Sequence, residues 1–218
     1  MAGASEGRRR VQPGALPLRP EVVFQHQRRR IIAAAAKTFA KRGYRQVSVA
    51  DIVKSAAVAR GRFYEHFSSK EDCFFALYDE ASAAALKAVG EACSDPGLEF
   101  PERVGEAIAA LLAFIEEDRD RARSCILEGP AVGPPINERF EGVIRDFADL
   151  LRAWRGDEVG SELPQTVEET VVGGLYWLLY YALLEERPKK ISRLRPQLVE
   201  FSLIPFIGAE AAGATAAI

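Results

Sequence analysis

The chain is poor in the residues that most often do chemistry. Its 218 residues include two histidines, three cysteines and one methionine. Both histidines, His26 and His66, lie in the first third, so a histidine-based hydrolase centre in the remainder is excluded. Cys73, Cys93 and Cys125 form no Cys-x-x-Cys pair and show no metal-ligand spacing. Each falls within a helical pattern and reads as a small buried or half-buried thiol. Gly-x-Ser-x-Gly, His-Glu-x-x-His and the dinucleotide fingerprint are all missing. The stretch from Gly129 to Pro135 is no phosphate loop, because no Gly-Lys-Ser/Thr follows it. No catalytic set, cofactor or metal is therefore expected, and the chain does not read as an enzyme. The longest apolar run, Val171 to Leu184, suits a buried helix better than a bilayer span. No secretory h-region is found, so a reduced cytoplasm, without a membrane partner, is the expected location. No segment alternates as a strand, and the class is all-α, with about nine helices.

What the chain has is a divided charge. It is nearly neutral overall, at formal −2. Residues 1–70 nevertheless hold 15 Lys plus Arg against 4 Asp plus Glu, and residues 71–218 hold 14 against 27. A duplex partner needs local positive charge, since counterion release supplies most non-specific affinity. The acidic remainder is repelled by DNA and orients the molecule on approach.

The basic segment carries a motif. Ser48 with Asp51 is a capping-box signature, and Val49, Ile52, Val53 and Ala56 share one helical face. Ala56 to Ala59 is a small-residue break. The pattern restarts at Arg60 and runs to His66, with Phe63 and Phe67 inward and Arg60, Arg62, Tyr64 and Glu65 pointing elsewhere. Ser68 or Ser69, with Glu71 or Asp72, caps the next helix. This is the grammar of a helix-turn-helix with a short recognition helix.

Tyr64-Glu65-His66-Phe67, then Ser69-Lys70-Glu71, and upstream Phe39-Ala40-Lys41-Arg42-Gly43-Tyr44 together resemble the tetracycline-repressor (TetR-like) family over about residues 28 to 75. Gly43 is expected at the C′ position of the first helix. Two residues depart from the family pattern: Ala57 stands where Gly is usual and Ala59 where Ser or Thr is usual. Losing a Ser cap costs about 0.5–2 kcal/mol.

From these residues a DNA-reading set follows. Arg60 and Arg62 are candidates for base edges or phosphates, since arginine binds guanine bidentately. Gly61 allows close backbone approach. Tyr64 and His66 match family positions that commonly touch phosphates or bases, although His66 also reads as a structural histidine. Lys70 and the amides at its helix start suit phosphate, and Ser48 is a further phosphate candidate. Arg28, in the first half of helix one with Arg29 and Arg30, opposes the macrodipole, which suggests a phosphate role.

The organisation reads as a disordered basic arm (1–22, with Arg8, Arg9 and Arg10), a DNA-binding domain (23–69), an effector-binding and dimerisation domain (70–208) and a flexible tail (209–218). Helices are expected near 70–92, 104–115, 119–128, 136–154, 165–186 and 196–206, with a break at Gly129 to Pro135.

The 165–186 helix is apolar nearly all round, which calls for burial on most sides. Gly173 and Gly174 each cost about 1 kcal/mol there against Ala, so close approach of another helix is expected. TetR-like proteins dimerise through their last two helices. The resemblance therefore implies a homodimer whose seam includes Gly173, Gly174, Trp177, Tyr181, Leu198 and Phe201. It further implies a repressor that binds double-stranded DNA at a palindromic operator and is released by a small hydrophobic effector. Phe114, Phe140, Phe147, Trp154, Tyr176 and Tyr180 are candidates to line the effector cavity, with plain core packing the alternative reading for each. An activator, or a regulator without an effector, stays open on sequence grounds.

Overall fold

The computed structural model describes residues 20–157, 159–160, 162–164 and 166–217. The Arg8–Arg10 arm lies outside them. Ten α-helices, two 3₁₀ turns and no strand are found among the described residues.

The first three helices, α1 (Pro20–Arg42), α2 (Val49–Ala56) and α3 (Arg60–Tyr64), form the N-terminal unit. Helix α1 starts at Pro20, inside the segment read as an arm, because proline suits a first helical turn. Gly43, at φ +78°, turns the chain out of α1 into a 3₁₀ turn at Tyr44–Gln46. Ser48 and Asp51 close a reciprocal capping box at α2. Ala57 takes the left-handed conformation that ends α2 (φ 51°), a geometry that costs a non-glycine residue roughly 1 kcal/mol. Ala59 heads α3 without a side-chain cap. Both departures from the family pattern thus leave the motif's geometry standing at some cost in stability. Phe39, Ile52 and Phe63 are buried together at the centre of this unit, with Phe74 of the following helix packed among them.

Helix α4 (Lys70–Ala92), capped by Ser69, leads out of it. There follow α5 (Phe100–Glu117), α6 (Arg119–Val132), α7 (Pro135–Arg155), α8 (Val167–Leu184), a second 3₁₀ turn (Ile191–Leu194), α9 (Arg195–Ile207) and α10 (Ala209–Ala216). Two expectations are corrected here. The Gly129-Pro130 pair does not end α6, which runs on to Gly133 at φ +111°. Tyr176 Oη donates to the Ile126 carbonyl, the group that Pro130 cannot serve. The segment read as a tail forms α10, because alanine is the strongest helix former and Ala212 and Ala216 bury one face.

The larger core gathers Ile108, Leu112, Leu183, Leu198 and Leu203 from α5, α8 and α9. Walls α7 and α8 are pinned by buried Glu168, which accepts from Arg155 Nε at 2.7 Å with Arg152 at 3.6 Å. Burial pushes the Glu168 carboxyl up, but these arginines outweigh it and hold it below its ordinary range.

Candidate DNA-reading surface and effector cavity

Helix α3 is anchored by Phe63 and exposes its other side chains. Arg60, Gly61, Arg62 and Tyr64 all face solvent. Arg60 reaches the Tyr64 hydroxyl at 3.4 Å and lies over its ring. Arg62 pairs with Glu65 at 2.7 Å. That pair is exposed and so worth about 1 kcal/mol or less, a small barrier to handing Arg62 to a duplex. A Cβ on Gly61 would meet nothing within 4 Å, so the protomer itself does not require glycine there. An exposed glycine costing about 1 kcal/mol of helix stability is what a surface meant for close approach would keep.

Other candidates are engaged within the protein. Lys70 Nζ donates to the carbonyls of Tyr44 (2.8 Å) and Val47 (2.9 Å) and sits 4.1 Å from the Tyr44 ring centroid. It staples the 3₁₀ turn, so two of its three N–H donors are spent within the protein and not on the phosphate expected from the sequence. Partial burial lowers its pKa. Arg28 pairs with Glu80 and lies over Phe67, tying α1 to α4. The Ser48 hydroxyl donates to Asp51 Oδ2 at 2.6 Å, and Arg42 also pairs with Asp51. The His66 ring packs tilted against Phe24 with centroids 4.0 Å apart, and neither ring nitrogen meets a protein partner. Burial lowers its pKa. Sequence reasoning missed Phe24; Arg30, grouped there with Arg28 as a phosphate candidate, donates to the Ala56 carbonyl at the end of α2.

Behind this unit, α4 to α9 line a partly open cavity of about 180 Å³. Phe114, Phe140, Phe147, Trp154 and Tyr176 line it, as do Tyr78, Leu111 and Leu175, which the sequence did not single out. Tyr180 does not line it. One turn beyond Tyr176, it packs instead against Trp177 and Tyr181. The lining is almost wholly apolar. Burial pushes the Cys125 thiol up to about 12, so it is a neutral thiol in the lining.

Helix α6 touches both regions. Its Cys125 and Ile126 line the cavity. Its Ser124 hydroxyl donates to the Ala36 carbonyl of α1 at 2.6 Å, fully buried. Its Glu128 carboxylate accepts the Tyr44 N–H at 2.8 Å. No motif marked Ser124 or Glu128 in the sequence.

A third feature is an uncovered apolar face on α8 and α9. Trp177, Tyr181, Leu184, Phe201 and Ile204 are exposed, with Trp177 at 54% and Tyr181 at 55%. Gly173 is open on the same side. Leu198 is corrected from the seam to the core: it is 1% exposed, because the opposite side of α9 faces α5 and α8. The close approach expected at Gly174 exists within the protomer, where the Phe201 ring lies directly over it.

Comparison with known proteins bears on this arrangement. Residues 31–77 match the family described as bacterial regulatory proteins, tetR family. YhgD of Bacillus subtilis (strain 168), an HTH-type transcriptional regulator, is 32% identical over 164 residues, covering 73% of this chain and 83% of its own. The chain belongs to the tetR family. YdgC, a second HTH-type regulator of the same organism, is 27% identical over 82% of this chain and 93% of its own. Among solved structures, the fatty acid degradation regulator FadR of Bacillus halodurans superposes with a TM-score of 0.71 at 21% identity, over 80% of this chain and 97% of its own. FadR of Bacillus subtilis, solved with stearoyl-CoA, gives 0.71 at 19%, over 82% and 98%. As a TetR-family member the chain is a DNA-binding transcriptional regulator, and the relatives it matches are regulators rather than enzymes. No helix among the described residues is long and apolar enough to cross a membrane.

Proposed function

We propose that this TetR-family protein is a repressor that binds a palindromic operator as a homodimer and is released by a small hydrophobic effector. The observation that carries the reading is α6, which lines an apolar cavity on one side and hydrogen-bonds α1 and the Tyr44 turn on the other. A ligand that fits the cavity better in a second arrangement of α6 shifts the DNA-binding unit with it, by its differential affinity for the two states. The uncovered Trp177–Tyr181 face supports a two-fold dimer, which presents one α3 to each half-site. Arg60, Gly61, Arg62 and Tyr64 face the duplex in this reading. A lipid-like acyl compound suits the apolar lining, and the stearoyl-CoA held by FadR of Bacillus subtilis supports that class.

Affinity selection of genomic fragments with the purified protein, followed by sequencing, tests the proposal. A shared inverted repeat is the expected result. Unrelated fragments, lost together as salt rises, would mean backbone affinity alone and would overturn it. Sedimentation should give twice the 24.0 kDa protomer at micromolar concentration.

A further inference from the structure

Pro130 lies inside α6 and has no N–H, so the Ile126 carbonyl four residues earlier loses its helical donor. The Tyr176 hydroxyl supplies the replacement at 2.9 Å. Tyr176 also lines the cavity, with its ring against Phe140 at 4.7 Å between centroids. Burial pushes the phenol up to about 12, so it remains a neutral donor at physiological pH. The turn that it holds leads directly into Glu128, which grips the Tyr44 N–H. One cavity hydroxyl therefore secures the end of the helix that secures the DNA-binding unit. A phenolic O–H donates to one acceptor at a time.

We propose that Tyr176 is the trigger of the cavity. An apolar effector bearing a hydrogen-bond acceptor, such as a ketone, ester or thioester carbonyl, takes the Tyr176 donor from the Ile126 carbonyl. The last turn of α6 then loosens and Glu128 releases Tyr44. A hydrocarbon of the same length fills the cavity without competing for the hydroxyl, so it binds and leaves DNA bound. The inference rests on reading the cavity as the effector site and adds the chemical feature that separates an inducer from a mere occupant.

The test compares n-decane with 2-decanone on the full chain. Thermal shift reports binding, fluorescence anisotropy on the selected operator reports release, and amide exchange at 126–132 reports the α6 turn. Both compounds should raise Tm. Only 2-decanone should weaken operator binding, by roughly tenfold, and speed exchange at 126–132. Tyr176→Phe keeps the ring and removes the donor; it should show fast exchange without any ligand and no further release by the ketone. Equal release by both compounds, or Tyr176→Phe with normal exchange and a full ketone response, would overturn the trigger while leaving the cavity reading intact. If neither compound raises Tm, the cavity reading falls and the trigger with it.

Discussion

Two adjacent glycines in α8 offer a controlled perturbation, because the structure assigns them opposite surroundings. A helix-interior glycine costs about 0.8–1.0 kcal/mol against alanine. At Gly173 an added Cβ meets nothing within 4 Å, so Gly173→Ala should return that full amount to the protomer. At Gly174 the added Cβ would lie 2.8 Å from Phe201 Cε1 and closer still to Cζ, inside any tolerable contact. The Phe201 ring must move, and overpacking of that kind costs about 1–3 kcal/mol. Subtracting the propensity gain leaves Gly174→Ala less stable by about 1 kcal/mol, and about 2 kcal/mol below Gly173→Ala. Urea unfolding measures the difference. It must be run at several protein concentrations, because dimer stability depends on concentration. Those series also address the seam. If a partner α8 crosses at Gly173, the gain in the protomer is offset by weaker association, and sedimentation should show the Gly173→Ala dimer dissociating at least tenfold more readily. Equal stabilities for the two variants would refute the packing of Phe201 on Gly174. An unchanged dimer affinity for Gly173→Ala would refute close approach at that position.

Four further outcomes are expected. Arg62→Ala should cost about 1–3 kcal/mol of operator binding with sequence preference relaxed, whereas Gly61→Ala should fold at least as well as wild type and bind more weakly; unchanged binding in anisotropy removes either residue from the interface. Lys70→Met should lower stability by about 2 kcal/mol, through two lost charge-assisted hydrogen bonds, and leave the salt dependence of DNA binding unaltered; a reduced salt slope would restore it as a phosphate ligand. Glu128→Ala should leave the protein folded and shrink the effector's influence on operator affinity, and an unaltered response measured in the same titration would exclude the Glu128–Tyr44 contact as the coupling link. Burial lowers the His66 pKa, so the unfolded chain binds the proton more readily; stability contributed by neutral His66 is present above its unfolded value near 6.5 and is lost as pH falls below it. Urea midpoints between pH 7.5 and 5.5 should therefore fall more steeply for wild type than for His66→Gln, and parallel curves would contradict this.

The N-terminal unit was legible because its signals are local. The Ser48–Asp51 box, the inward Phe63 and Phe67, and the Ser69 cap each act within four residues, and the structure shows all of them. Exposure of Arg60, Gly61, Arg62 and Tyr64 follows from the same helical period. The fate of Lys70 did not follow. Its Nζ goes to carbonyls 23 and 26 residues away, and no helical pattern reports where a long side chain finds its acceptor.

The sequence by itself determined the all-helical class, the recognition helix and its charge, and the family, because helical periodicity, capping and a short motif are properties of neighbouring residues. Only the tertiary structure decided the rest. Pro130 reads as a break until Tyr176, 46 positions on, is found serving the carbonyl that it leaves free. Leu198 and Phe201, three residues apart in α9, lie on the buried and the open side because of where α5 and α8 pack. The cavity and the α6 contacts to Ala36 and Tyr44 join segments more than eighty residues apart. Such contacts depend on the summed packing of several helices, a quantity that no single stretch of the chain contains.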